Sequence, residues 1–104
     1  MSYTFRVSDS TAMPNHAHLL RLKVASGSPR LADLKPGARV RVAGPHGESG
    51  VVNVLRHATL GGRATQERLE RTRELDIVIP AAEGTVAGMP IGIGWTVTPA
   101  GDEE

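Results

Sequence analysis

The feature that most constrains the fold is a period-two alternation of apolar residues in short runs, each cut by glycine or proline. Tyr3, Phe5 and Val7 fall on one side of the first run, with Thr4 and Arg6 on the other. Successive side chains of a strand point to opposite faces, so such a run reads as a half-buried β-strand. His18–Val24 repeats the pattern with Leu20, Leu22 and Val24 inward and Arg21 and Lys23 outward. Arg39–Val42 turns Val40 and Val42 inward and both arginines outward, and Gly50–Arg56 returns with Val52 and Val54. Leu75, Ile77 and Ile79 share a face before Pro80, and Ile91, Ile93, Trp95 and Val97 predict the longest apolar face of all.

The segments between these runs carry turn chemistry. Asp9-Ser10-Thr11 with Pro14-Asn15, Ser26-Gly27-Ser28-Pro29, and Ala81–Pro90 read as loops, and Leu34-Lys35-Pro36-Gly37 as a tight turn. Ala64–Arg73 is the one expected helix, since it holds good helix formers and neither glycine nor proline. Its apolar content is Ala64 and Leu69, which predicts a surface position. The expectation is a mostly β chain: a six- to seven-stranded antiparallel, Greek-key-like barrel with one short surface helix near 64–73. Its 104 residues fit a single domain over 1–104, with 1–2 and 100–104 frayed.

Composition narrows the function classes. The absence of cysteine excludes disulfides, thiolate zinc sites and cysteine nucleophiles. A formal charge of +1 gives no strong global field toward nucleic acid or membrane. The three aromatics, Tyr3, Phe5 and Trp95, offer few platforms on which bases could stack, and Trp95 sits on an apolar face that suits the core. No apolar run reaches the roughly 18 residues of a membrane span, and the first residues lack a signal-peptide plan. A cytoplasmic protein without membrane contact is expected.

Gly44-Pro45-His46-Gly47-Glu48-Ser49-Gly50 is glycine-rich but lacks the Lys-Ser/Thr pair of a phosphate loop, so it reads as a hairpin connection. Ser49 lacks the flanking glycine of a nucleophile elbow, because Val51 follows Gly50. His16-Ala17-His18 is the one metal candidate, since residues two apart in a strand point the same way; His46 or His57 would supply a third ligand. A solvated pair at a loop junction is the plainer reading, and no metal or other cofactor is expected. Arg56, Arg63, Arg68, Arg71 and Arg73 are the basic concentration and the candidate contacts to RNA or another anion. Glu67, Glu70 and Glu74 interleave with them, which also fits a solvated helix face.

The order of features resembles the β-barrel second domain of translational GTPases of the elongation factor Tu type. Phe5, Val7 and Asp9 match the aromatic-x-Val-x-Asp opening strand, and Val24–Gly27 a Val-x-x-Gly step. Leu34-Lys35-Pro36-Gly37 leads into Val40 and Val42, Gly44–Leu55 matches a glycine-bounded hairpin, and Gly94-Trp95-Thr96-Val97 precedes Pro99. The likeness runs from Tyr3 to Pro99. The chain departs from it in the longer Ser28–Asp33 turn, in Gly61–Glu74, and in Arg73-Glu74-Leu75-Asp76, which lacks a glycine. A phosphate loop and a guanine-specificity motif are absent, so GTP hydrolysis does not carry over. The resemblance implies a barrel linked to tRNA or ribosome binding. The expected function is therefore a non-catalytic binding module with an RNA or a protein partner. The alternative is a small metal-dependent or histidine-based enzyme using His16, His18, His46 or His57 with Asp9 or Glu48.

Overall fold

The computed structural model describes residues 3–58 and 64–100. Among the described residues nine strands are present: β1 (Tyr3–Met13), β2 (Ala17–Gly27), β3 (Arg39–Ala43), β4 (Ser49–Asn53), β5 (Arg56–His57), β6 (Glu74–Pro80), β7 (Thr85–Val86), β8 (Met89–Pro90) and β9 (Thr96–Pro99). One α-helix, α1 (Gln66–Thr72), lies between β5 and β6, and short 3-10 turns occupy Leu31–Leu34 and Ala81–Gly84. Seven strands form one antiparallel sheet in the order β4-β3-β9-β1-β2-β6-β5, and β7 and β8 form a small separate hairpin.

The mostly β class and the single short helix agree with expectation, but the sheet does not close into a barrel. β4 and β5 are its two edges, yet only Val54 and Leu55 separate them along the chain. Val54 donates to the Ala38 carbonyl at 2.8 Å, and Leu55 donates to the Val78 carbonyl at 2.8 Å. One continuous stretch thus passes from the β3 side to the β6 side. At the end of β4, the Glu83 carboxylate accepts from the Asn53 backbone N–H (2.7 Å) and side-chain amide (2.9 Å). The sheet curves around a core of Phe5, Val7, Leu20, Leu22, Val40, Val42, Val52, Val54, Ile77, Ile79 and Val97, all at most 1% exposed.

Three local readings are corrected. Asp9-Ser10-Thr11 is not loop: β1 runs on to Met13, because a bulge at Ser8 inserts one extra residue opposite Leu22 and Arg21. The bulge moves the inward set from odd to even positions, which hides the strand from a simple alternation count. The three-residue turn after it, Pro14–His16, places Asn15 (φ 66°) and His16 (φ 59°) in the left-handed region. Ile91–Val97 is not one strand. Gly92–Trp95 is a turn closed by Trp95 N–H to the Gly92 carbonyl at 3.2 Å, with Gly94 at φ 93°. Ile91 and Trp95 stay buried, whereas Ile93 at the tip is 75% exposed. Ala81–Pro90 is not plain loop, since it holds the second 3-10 turn and the β7–β8 hairpin. Val86 fits over Gly50, and Trp95 over Gly44, so close that a Cβ on Gly44 would stand 2.8 Å from the indole.

Helix α1 is shorter than Ala64–Arg73. Thr65 caps its start by accepting from Arg68 N–H (3.1 Å), and Arg73, left-handed at φ 60°, ends it. The helix is also more than a surface element. Leu69 is 2% exposed and belongs to the core, so α1 stoppers one end of the curved sheet. Of the expected frayed tail, Ala100 is buried, and Gly101–Glu104 lie outside the described residues.

Candidate functional site

The arginines singled out by sequence do not form one strip. Arg56 is exposed on the edge strand β5, and Arg63 lies outside the described residues. Arg68 and Arg73 line opposite flanks of α1. On one side a cleft of about 200 Å³ runs between α1 and the β2–β6 pair, lined by Arg21, Arg68, Thr65, Thr72, Glu74 and Asp76 among others. Its two cations face two carboxylates. Arg21 Nε lies 3.2 Å from Asp76 Oδ1, and that hydrogen bond with its charge raises the guanidinium pKa above its ordinary value. On the other side a cleft of about 290 Å³ holds Arg30, Arg73 and Glu70 over Val24, Pro29 and Leu69. Gln66 ties this flank down: its Oε1 accepts from Leu31 N–H at 2.6 Å, and its amide donates to Glu70 at 3.0 Å. Arg71 is exposed on the helix and lines neither cleft.

The histidines are likewise dispersed. His16 belongs to the hairpin turn rather than to β2, so it is not the same-face strand neighbour of His18 that the spacing predicted. His18 instead pairs with Ser10, Oγ to Nε2 at 2.7 Å. Its ring packs against Gly84, where a Cβ would stand 3.1 Å away. Burial lowers the His18 pKa below 6.5. His46 is exposed in the β3–β4 turn, and His57 Nε2 meets the Leu34 carbonyl at 2.8 Å. Among the described residues, no three His, Asp or Glu side chains are grouped to hold a metal.

A different basic surface emerges on the outer face of the sheet. Strand alternation turns Arg6, Lys23, Arg39 and Arg41 away from the core. Topology then brings them together, because β9 inserts between β1 and β3. The register aligns Glu74, Lys23, Arg6, Thr96, Ala43 and Ser49 in one row across six strands. In the neighbouring row Thr98 stands beside Arg41, whose Nη1 donates to Ser49 Oγ at 3.3 Å. Arg6 and Arg39 are exposed, and the Lys23 side chain is 63% exposed with Glu74 at 4.0 Å. The cations therefore flank a strip of threonine hydroxyls on β9, and the carboxylates Glu74 and Asp76 lie together on β6. Alternation signals that each side chain faces water. Only the strand order signals that they are neighbours.

The chemistry available to this face is hydrogen bonding and charge attraction toward an anion, from guanidinium forks, an ammonium and hydroxyls. No helix among the described residues is long and apolar enough to cross a membrane. No family model, no curated protein and no solved structure matches the chain.

Proposed function

We propose that this chain is a non-catalytic binding module for RNA, whose working surface is the outer face of β2-β1-β9-β3. The observation that carries the reading is the insertion of β9, which joins Arg6 and Lys23 to Arg39 and Arg41 across two threonines. Phosphate contacts by arginine, lysine and hydroxyl side chains supply most of the affinity of sequence-independent nucleic-acid binding. The resemblance to the translation-factor barrel favours tRNA or ribosomal RNA as the natural source, in a cytoplasmic setting. Filter binding of total tRNA is the test. Retention that weakens steeply between 50 and 200 mM salt is expected, on the order of a hundredfold for about four phosphate contacts. No retention at low salt, or retention indifferent to salt, refutes the reading.

One contact favours a second reading, a histidine-based enzyme. The Ser10–His18 hydrogen bond of 2.7 Å is the arrangement of a nucleophile and its base, and burial keeps the imidazole neutral near pH 7. A serine-directed fluorophosphonate probe decides it: labelling at Ser10 that disappears in His18→Gln supports the reading, and an unlabelled chain removes it.

A further inference from the structure

We infer that the cleft between α1 and the segment 27–31 binds a small carboxylic acid with an apolar body of about ring size. None of its residues belongs to the face assigned to RNA, so each reading stands or falls without the other.

Two guanidiniums reach this cleft from different elements. Arg30 precedes the 3-10 turn Leu31–Leu34, and Arg73 ends α1. Among the described residues neither forms an ion pair with a carboxylate, in contrast to Arg21 and Asp76 on the opposite flank of α1. The Arg73 side chain makes one long contact, Nη2 to the Gly27 carbonyl at 3.5 Å. The backbones that carry the two side chains are fixed. Arg73 N–H donates to the Leu69 carbonyl, and the Arg73 carbonyl accepts from Val24 N–H, both at 2.8 Å. Arg30 N–H donates to Asp33 Oδ2 at 3.3 Å, and the Arg30 carbonyl accepts from Asp33 N–H at 2.9 Å. Arg73 also holds a left-handed backbone, φ 60° and ψ 28°, at the helix end where glycine is the usual residue. A residue with a Cβ is disfavoured there, yet the sequence puts a guanidinium at the mouth of the cleft where glycine would leave none.

The rest of the lining defines the ligand. Val24, Pro29 and Leu69 form an apolar floor, with Pro29 and Leu69 buried. The volume of about 290 Å³ is about twice that of an engineered cavity that holds benzene. Glu70 brings a carboxylate to the lining, and its Oε2 accepts from the Gln66 amide at 3.0 Å. Two guanidiniums and one carboxylate leave a single net positive charge, which suits a monoanion better than a doubly charged phosphate. A guanidinium fork matches the planar carboxylate with two parallel hydrogen bonds. Gln66 also accepts from Leu31 N–H at 2.6 Å and donates to the Pro29 carbonyl at 3.3 Å. These bonds hold the 29–31 wall to the helix, so the cleft is formed before a ligand arrives.

The experiment titrates the full chain with four probes and follows its amide shifts: 3-phenylpropionate, 3-phenylpropan-1-ol, acetate and inorganic phosphate. 3-Phenylpropionate is expected to bind with a Kd of about 1 mM or tighter, the range open to a ligand of its size, with shifts centred on residues 27–31 and 66–73. The alcohol lacks the charge and acetate lacks the apolar body; both, and phosphate, are expected to bind at least about tenfold more weakly. The alcohol bound as tightly as the acid removes the arginines from the site and overturns the inference. Acetate or phosphate bound as tightly reduces the cleft to an unselective anion contact and also overturns it, as does an acid that binds nowhere or shifts other residues. Arg73→Gly locates the site without threatening the fold, since glycine suits the left-handed backbone: the melting temperature should hold or rise while affinity for the acid falls at least about tenfold. Arg30→Gln should lose a similar amount, and Arg68→Gln, on the opposite flank, should change affinity by less than about twofold. Affinity retained in Arg73→Gly, or lost in Arg68→Gln at unchanged melting temperature, refutes the assignment.

Discussion

The outer face of the sheet has two halves built on the same plan and finished differently. On β2 and β6, each cation stands opposite an acid: Arg21 against Asp76 and Lys23 against Glu74, both set by the register of the pair. On β1, β9 and β3, the cations stand opposite hydroxyls: Arg6 against Thr96 and Arg41 against Thr98. Exposed cross-strand ion pairs contribute little stability, about 0–1 kcal/mol each. Their larger effect is on the field, since a paired cation attracts an outside anion weakly. The difference teaches that surface charge has to be read by strand neighbour, because the chain's net charge of +1 says nothing of which cations stand beside acids and which beside hydroxyls.

The comparison can be broken by making the second half resemble the first. Thr96→Glu/Thr98→Glu places an acid beside Arg6 and another beside Arg41, copying the β6 arrangement. Affinity for tRNA is expected to fall more than a hundredfold at 0.1 M salt, because two attractive contacts are cancelled and two repulsive charges added. Thr96→Val/Thr98→Val, which keeps the shape and suits a strand, serves as the control in the same titration and should lose less than tenfold. The converse change sharpens the comparison. Asp76→Asn/Glu74→Gln frees Arg21 and Lys23, and affinity should rise by about tenfold, read by the same method. Stability should barely move.

Both halves depend on the core that holds the sheet in its curve. Leu69→Ala removes the side chain through which α1 stoppers the core and should cost about 2–5 kcal/mol in denaturant unfolding. Gly44→Ala forces the Trp95 ring aside and should cost about 1–3 kcal/mol by the same measure. The smallest expected effect is a pH dependence. Burial lowers the folded-state pKa of His18 below 6.5, so the unfolded chain binds the proton more readily. The stability held above pH 6.5 is therefore lost as pH falls from 6.5 through the folded-state value. A melting temperature that declines over this range in the wild type, and declines less in His18→Gln, is the expected pattern. Tyr3, raised to about 12 by burial and then by Asp33, acts only at the alkaline end: its contribution is present below pH 10 and fades as pH rises through 12.

Much of the fold was legible because alternation and turn residues are local signals. Val40, Val42, Val52 and Val54 and the inward face of β6 were readable from spacing, and the helix around Leu69 from its helix-forming residues, though not its place in the core. What escaped had non-local or compensated causes. The Ser8 bulge reverses the alternation inside β1, so residues 9–11 read as loop. The 91–97 alternation is genuine in sequence, but Gly94 at positive φ turns the chain and leaves Ile93 in solvent. The contact of Glu83 with Asn53 joins residues thirty apart along the chain, which no local pattern encodes. The basic outer face escaped for the same reason. Arg6 and Arg41 were each seen to face outward, but their adjacency depends on β9 entering between β1 and β3, which no local pattern encodes. Of the arginines conspicuous in sequence over 56–73, Arg56 stands on β5, whereas Arg68 and Arg73 line different flanks of α1.

The most direct test of the account is the amide spectrum of the isotope-labelled chain titrated with tRNA. The account predicts shift changes concentrated on Thr4–Arg6 of β1, Lys23 of β2, Arg39–Arg41 of β3 and Thr96–Thr98 of β9. Changes confined to Gln66–Arg73, or a spectrum unaltered by excess tRNA, would contradict it.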